Sequence, residues 1–251
     1  MNRELEGIWA LWKRELIRFF RSKSRVVGSL GMPFFFLAIL GTGLNSAFSV
    51  PSEGGYLQFI APGIIGMVLM FASMFSGIIV IMDWQFGFLK ETLVAPISRL
   101  SVVLGKALGG ATTAVIQGII IMAMAVLLGA QVQLVNIVLL LVFMFMISLM
   151  FVSLGIAIAS TMTDMHGFQL IMNFLIMPLF FLSGALFPLS SAPDFLRIAS
   201  LFDPLTYGVA GLRYLLSGSS EMGFGVSFLV ISGLTILFVM FAIRQFNRIE
   251  E

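Results

Sequence analysis

Residues 107–163 read ALGGATTAVIQGIIIMAMAVLLGAQVQLVNIVLLLVFMFMISLMFVSLGIAIASTMT, 57 residues without a single Asp, Glu, Lys or Arg. One bilayer crossing takes about 20 apolar residues, so the run holds two crossings. Gly129-Ala130-Gln131-Val132-Gln133 is the natural bend between them. Lipid offers no partner to an open backbone group, so each crossing is expected to be a helix. A transmembrane β-barrel would alternate apolar and polar side chains, and no long stretch here alternates.

The same pattern extends outward. From Val26 to Met82 only Glu53 is charged, Met165 to Pro193 carries no formal charge, and Met222 to Ile243 is equally clean. These gaps predict six spans, at roughly 26–45, 58–82, 104–128, 134–160, 167–187 and 223–243. The whole chain of 251 residues is 59% hydrophobic and only 10% charged. Globular domains run near 45–50% and 25%, and a water-soluble fold of this length could not cover so much apolar surface. The composition excludes a soluble enzyme, a disordered chain and a nucleic-acid-binding module. With no cysteine, disulfides, thiolate metal sites and Cys nucleophiles are excluded too.

The charges mark topology. Arg3, Lys13, Arg14, Arg18, Arg21, Lys23 and Arg25 precede the first span, Lys90, Arg99 and Lys106 lie between the second and third, and Arg244 and Arg248 follow the sixth. That is 12 of the 14 basic residues, on one side if there are six crossings, and the excess of Lys and Arg assigns that side to the cytoplasm. Both termini are then cytoplasmic, in a multi-pass protein of the plasma (cell inner) membrane. The basic N-terminal region is too long and too amphipathic for a cleaved signal. Leu5, Ile8, Trp9, Trp12, Leu16, Phe19 and Phe20 recur at helical spacing, with Arg3, Glu6, Lys13, Arg14, Arg18 and Arg21 elsewhere, which predicts a helix lying in the headgroup plane.

Residues 83–99, DWQFGFLKETLVAPISR, are too apolar for a solvated connector. A short helix from about Asp83 to Val94 is expected to end before Pro96, and its aromatic side chains need a covering surface. The segment 188–220, punctuated by Pro188, Pro193 and Pro204, predicts two helices too short to cross, a re-entrant pair on the outer side. Arg213 there is expected to snorkel outward or pair with Asp203.

Equally informative are the residues the chain lacks. No Gly-x-x-x-x-Gly-Lys-Ser/Thr phosphate loop occurs, and Gly105-Lys106-Ala107 lacks its other members. One His and no Cys leave no zinc set, and Ser183-Gly184 has no base on a neighbouring helix, so the pair reads as a packing site. No span carries an ionisable residue near its centre, where ion-coupled carriers place them; Gln117 and Asn173 are the main polar mid-span side chains. Gly105 and Gly109, Ala107 and Ala111, and Ser73 and Gly77 mark close helix approaches, within the chain in preference to between copies. If this protein moves a cargo uphill, the free energy comes from another subunit. A secondary transporter or channel, and a non-transporting membrane partner of an ATPase, remain as alternatives.

Three motifs carry a family resemblance: Phe86-Gly-Phe-Leu-Lys-Glu-Thr-Leu-Val-Ala-Pro-Ile-Ser-Arg99 followed by Gly105-Lys106, Pro178-Leu-Phe-Phe-Leu-Ser-Gly-Ala-Leu-Phe-Pro188, and Asp203-Pro-Leu-Thr-Tyr-Gly-Val-Ala-Gly-Leu-Arg213. With them the chain resembles the type-2 permeases of ATP-binding cassette transporters, in particular the daunorubicin-resistance-like branch. The resemblance implies an all-α integral membrane permease domain over 1–251, with no catalytic residues and no cofactor of its own, working as a homodimer with ATP-binding cassette nucleotide-binding subunits. It implies an interfacial connecting helix in 1–25 (Trp9, Trp12, Arg14, Glu15) and a coupling helix in 83–99 that meets the ATPase through Phe86, Phe88, Leu89, Lys90, Glu91 and Arg99. Glu91 matches an acidic coupling position and is expected to pair with Arg14 or with a base of the partner. Spans 2 and 5 would line the path, through Phe71, Phe75, Asn173 and Phe181. Pro188, Pro204, Tyr207 and Arg213 would belong to the extracellular re-entrant helices of 188–220. The implied activity is ATP-driven export of a hydrophobic or amphipathic cargo, a drug, lipid or glycolipid, in contact with membrane lipid and without nucleic acid.

Overall fold

The computed structural model describes residues 3–43, 55–132, 137–218, 220 and 222–248, and within them all side chains but those of Arg25, Lys90 and Leu93. The described residues form helices and connections, with no strand among them. Five helical spans are long and apolar enough to cross a membrane, or six if the pair Arg3–Arg21 and Val26–Thr42, bent by 70°, is counted as one. The chain is therefore an all-α integral membrane protein. Most of the connector expected at 46–57 lies outside the described residues.

Helix α1 (Arg3–Arg21) carries Glu4 and Glu6 in its first turn and Arg18 and Arg21 in its last, the arrangement that a helix dipole favours. Ser22 breaks it, and α2 (Lys23–Phe35) leaves in a new direction. Pro33 sits inside α2 and removes one N–H from the ladder. A seven-residue π-helical segment, Phe36–Thr42, continues the span.

The second span consists of α3 (Gly55–Ser76) and α4 (Ile78–Gln85), jointed at Gly77. Almost every residue of α3 from Tyr56 to Met70 is buried. A helix that is apolar on all sides belongs at the centre of a bundle, and α3 is that helix. The helix expected over Asp83–Val94 is two: α4 stops at Gln85, Gly87 takes φ +78°, and α5 (Phe88–Val94) starts afresh. That left-handed conformation suits glycine, which has no Cβ to clash. As expected, α5 ends before Pro96.

Helix α6 (Arg99–Leu127) begins five residues earlier than the apolar pattern suggests, because the Ser98 hydroxyl caps it by accepting from the Ser101 N–H at 3.2 Å. Gly129, at φ +106°, makes the expected bend. Across it, Gln58 of α3 donates to the Gln131 carbonyl at 2.8 Å and accepts from its N–H at 2.7 Å. Helix α7 (Ile137–Ala159) follows, then α8 (Met165–Leu182). Asp164 caps α8 by accepting from the N–H groups of Gly167 (2.6 Å) and His166 (3.2 Å). Those bonds, that from Gly167 above all, hold its carboxyl below the usual aspartate range. Span 5 ends short of the expected residue 187, since Gly184 at φ +70° turns the chain. A 3-10 turn (Leu189–Ser191), α9 (Asp194–Ser200), α10 (Pro204–Ser217) and α11 (Phe224–Phe246) complete the order.

Helix α3 packs on α6, α7 and α10, α7 packs on α11, and α1 lies along α6. In lipid, small residues permit such approaches. A methyl group on Gly155 of α7 would stand 2.5 Å from the Met74 carbonyl oxygen of α3. Gly105 and Gly109 of α6 seat α1: a methyl group there would lie 2.8 Å from Leu11 Cβ and 2.6 Å from Glu15 Cβ. The expected close approach at these glycines is thus within the chain. Helices α8 and α11 are the least enclosed spans.

Candidate functional site

The foot of span 2 is the point where α1, α4, α5 and α6 meet. Asp83, buried in the last turn of α4, accepts from Arg14 Nη2 of α1 at 2.6 Å and from Lys106 Nζ of α6. Arg18 reaches it at 4.0 Å. Glu15, also buried, lies 3.4 Å from Arg14 Nη2. A buried carboxylate is tolerable only when its charge is matched at close range, and three cations from two helices match this one. Arg14 also stacks on Phe88 of α5, 3.9 Å from guanidinium carbon to ring centroid. Trp12 Nε1 donates to Thr112 Oγ1 of α6 at 3.1 Å. At the other end of α1, Glu4 accepts from the N–H and hydroxyl of Ser98 (3.0 and 2.8 Å) and from the Ser101 hydroxyl. These bonds, Ser101 first, pull its carboxyl below the usual glutamate range.

This arrangement shows which side of α1 packs on the bundle. The face it buries runs through Ile8, Leu11, Trp12, Glu15 and Phe19, while Leu5, Trp9 and Phe20 point outward. Trp9 stacks on Trp12 with centroids 4.7 Å apart. Arg14 is engaged by Asp83 and Glu15, so the expected pairing of Glu91 with Arg14 is replaced, and Glu91 is exposed.

On α5, Leu89 and Thr92 face inward, three residues apart, and Leu89 belongs to the core. The outward face of α5 therefore narrows to Glu91 and Val94, and Phe86, which closes α4 just before the Gly87 break, is 75% exposed beside it. Phe88 is half-buried beneath Arg14, and the side chain of Lys90 lies outside the described ones. Arg99 is half-buried and donates to the Asn247 carbonyl at 2.7 Å, tying the end of α11 to the start of α6.

Beside this junction an open cavity of 850 Å³ runs between α2, α3 and α8, within the about 300–1,000 Å³ of small-molecule sites. Phe71, Phe75 and Phe181 line it, joined by Phe19, Phe36 and Phe180. Asn173 lies on the α8 face that carries Gln169, Met177 and Phe181, exposed, but it is not among the lining residues. The polar lining is Glu15, Arg18 and Ser22 at the α1 end, with Ser29, Ser76, Thr113, Gln117 and Gln169. Ser29 donates to Gln117 Oε1 at 2.8 Å. Among the described residues no three His, Asp or Glu side chains are grouped as a metal site needs.

At the opposite end of the bundle, Pro188 starts the 3-10 turn and Pro204 is the first residue of α10. Tyr207 donates to the Leu201 carbonyl at 2.9 Å. Arg213 turns inward rather than to Asp203: it donates to the Gly184 carbonyl at 3.0 Å and stacks 4.1 Å from the Phe59 ring centroid. Ten residues of helix separate it from Asp203, about 15 Å at 1.5 Å per residue. Asp203 instead caps α10, accepting from the Leu205 N–H (2.9 Å) and the Thr206 hydroxyl (3.0 Å). Burial pushes its carboxyl up to about 7 against these bonds.

Asp83, Lys106, Arg18 and Glu4 were not singled out by pattern as site residues. The signal available was a carboxylate in the last turn of span 2 facing a lysine near the start of span 3, opposite charges at adjoining ends of antiparallel neighbours.

Comparison with known proteins agrees with this architecture. Residues 6–217 match the family described as ABC-2 type transporter. The chain is 30% identical over 220 residues to a protein of Cyanophora paradoxa named as the transport permease ycf38, covering 86% of this chain and 76% of the other. It is 28% identical over 216 residues to Nodulation protein J of Rhizobium leguminosarum bv. trifolii (83% and 80%). It is 26% identical over 242 residues to the Inner membrane transport permease YadH of Escherichia coli (strain K12) (92% and 89%). With a family match over most of its length and a bundle of membrane-crossing helices around an open cavity, the chain belongs to the ABC-2 type transporter family, as a transport permease subunit.

Proposed function

We propose that this permease is the path-forming subunit of an ATP-driven exporter, in which two copies of the chain join two nucleotide-binding subunits and carry a hydrophobic or amphipathic cargo outward. The observation that carries the reading is the junction at Asp83. Phe86 at the end of α4 and Glu91 of α5 are offered to an external surface, while Asp83 in the last turn of α4 is bonded to α1 and α6 beside the cavity. A push on α5 from a closing ATPase dimer therefore reaches the helices that border the cavity through bonded side chains, and α5 acts as the coupling helix. The basic segments face the cytoplasm, where ATP is, and the 188–220 helices cover the outer end. The exposed apolar face of α8, with Leu170, Phe174, Met177 and Phe181, is the surface for the second copy or for lipid. A largely aromatic and aliphatic lining suits an amphiphile and suits a small ion poorly, which disfavours a channel.

The test is co-purification and ATPase activity of the co-expressed complex in lipid, screened across drugs and lipids. Phe86→Asp and Glu91→Ala are expected to lose the nucleotide-binding subunit while inserting at wild-type level. Recovery of that subunit at wild-type yield with both variants would refute the coupling role, and cargo uptake by the purified chain alone would refute the dependence on ATP.

A further inference from the structure

Resting on the transport reading above, the charge balance at the α1 end of the cavity narrows the cargo. Among the described side chains of this cluster, Arg14, Arg18 and Lys106 stand against Asp83 and Glu15, so three formally cationic groups face two carboxylates and one positive charge is left over. The geometry says where it resides. Asp83 is in hydrogen-bond contact with Arg14 and Lys106, whereas Arg18 reaches it only at 4.0 Å and otherwise donates to the thioether of Met82, at 3.4 Å. A thioether is a weak acceptor. Arg18 is also the one of the three cations that lines the cavity, beside Ser22. Away from that end the wall is mainly apolar, with Phe36, Met67, Phe71, Phe75, Met177 and Phe181 around the neutral side chains of Ser29, Thr113, Gln117 and Gln169.

We propose that this cavity binds an amphiphile with an anionic headgroup, the head held by Arg18 and Ser22 and the apolar body lying along the phenylalanine and methionine wall. A guanidinium bonds phosphate or carboxylate oxygens through paired N–H groups, and in a site partly withdrawn from water an uncompensated cation favours an anion and repels a cationic drug. Glu15 does not reverse this, because its charge is already matched within the cluster.

The experiment measures equilibrium binding to the full chain in a neutral detergent, using three pyrene-labelled probes of one chain length that carry a phosphate, a phosphocholine or a quaternary ammonium head. The phosphate probe is expected to bind at least tenfold tighter than either other probe, and Arg18→Gln to remove that preference while Arg18→Lys keeps most of it. Thr113→Phe, which fills the cavity wall, is expected to weaken the phosphate probe. Excess inorganic phosphate is expected to compete poorly, as the apolar body carries much of the affinity. Equal binding of all three heads, a phosphate preference that survives Arg18→Gln, or phosphate-probe affinity unchanged by Thr113→Phe overturns the proposal. Displacement by inorganic phosphate at concentrations matching the probe assigns the site to a free anion and also overturns it. No ATPase subunit is present in this measurement, so failure here leaves the transport reading standing, and failure of ATPase coupling leaves the binding result standing.

Discussion

Arg14 in the amphipathic first helix donates to Asp83 at the foot of the second span across 2.6 Å, 69 residues later in the chain. The bond fastens the first helix to the span whose next residues turn into the candidate coupling helix. Its energetics are asymmetric. Removing one cation leaves two on the carboxylate, whereas removing the carboxylate leaves Lys106, which is buried, without its counter-charge. Breaking a buried pair from one side typically costs about 3–5 kcal/mol. Asp83→Asn should therefore lower the thermal midpoint in detergent far more than Arg14→Gln. Asp83→Leu combined with Lys106→Met should recover part of the loss. Equal midpoints for the two single variants would show that the cluster holds no such imbalance.

The crossing of α3 and α7 leaves no room at Gly155, where a methyl group would meet the Met74 carbonyl at 2.5 Å. Gly155→Ala should cut the yield of monodisperse protein severely, because backbone and not a movable side chain is in the way. Gly28 of α2 has open space around it, and Gly28→Ala should leave that yield unchanged or raise stability by about 0.5–1 kcal/mol through helix propensity. Size-exclusion profiles of the two variants check both expectations.

Glu4 holds the start of α6 through Ser98 and Ser101. Its carboxyl sits lower in the folded protein than the ordinary value of 4.5, so the folded state prefers it ionised. The stabilisation is fully present above the ordinary glutamate range and is lost as pH falls through the lowered folded value. Amide exchange at Ser98 should therefore quicken, after correction for intrinsic rate, only as pH drops below that range, and Glu4→Gln should abolish the dependence.

Asp203 has the opposite sign. Burial raises its carboxyl from 3.8 to about 7, so the folded hairpin holds its proton more tightly than the unfolded chain does. Its stability contribution is present in full below 3.8 and declines as pH rises to about 7, beyond which it changes no further. Protease nicking of the 188–220 segment in outside-accessible vesicles should increase across that interval. Asp203→Asn keeps an acceptor for the Leu205 N–H and should flatten the profile; an unaltered profile would assign the titration to another group.

The membrane architecture was legible in the charge gaps, because lipid tolerates few unpaired charges and each run of about 20 apolar residues must then be helical. The two glycines that seat α1 were legible as small residues at helical spacing, whereas Phe71, Phe75 and Phe181 were named through the family resemblance and not from the pattern. Helix ends were less so: α6 starts at Arg99 because of the Ser98 hydroxyl, and α8 stops at Leu182 because Gly184 adopts a left-handed turn. Both are local bonds or torsions that an apolar count does not register. Leu89 illustrates a further gap, since its place on the inner face of α5 follows from the break at Gly87 and not from its own residue type.

By itself the sequence determined that this protein lives in a bilayer, how often it can cross, and which segments carry its basic charge. Those properties follow from composition and spacing along one chain. Only the tertiary structure decided that Arg14 belongs to Asp83 and not Glu91, that Arg213 bonds Gly184 and not Asp203, and that Arg18 borders the cavity. Each charge had several opposite or polar partners within the same sequence. For Arg14 and Arg18 the choice depends on where α1 lies on α6, which Gly105 and Gly109 permit by letting the backbones approach, and for Arg213 on where α10 lies on α3.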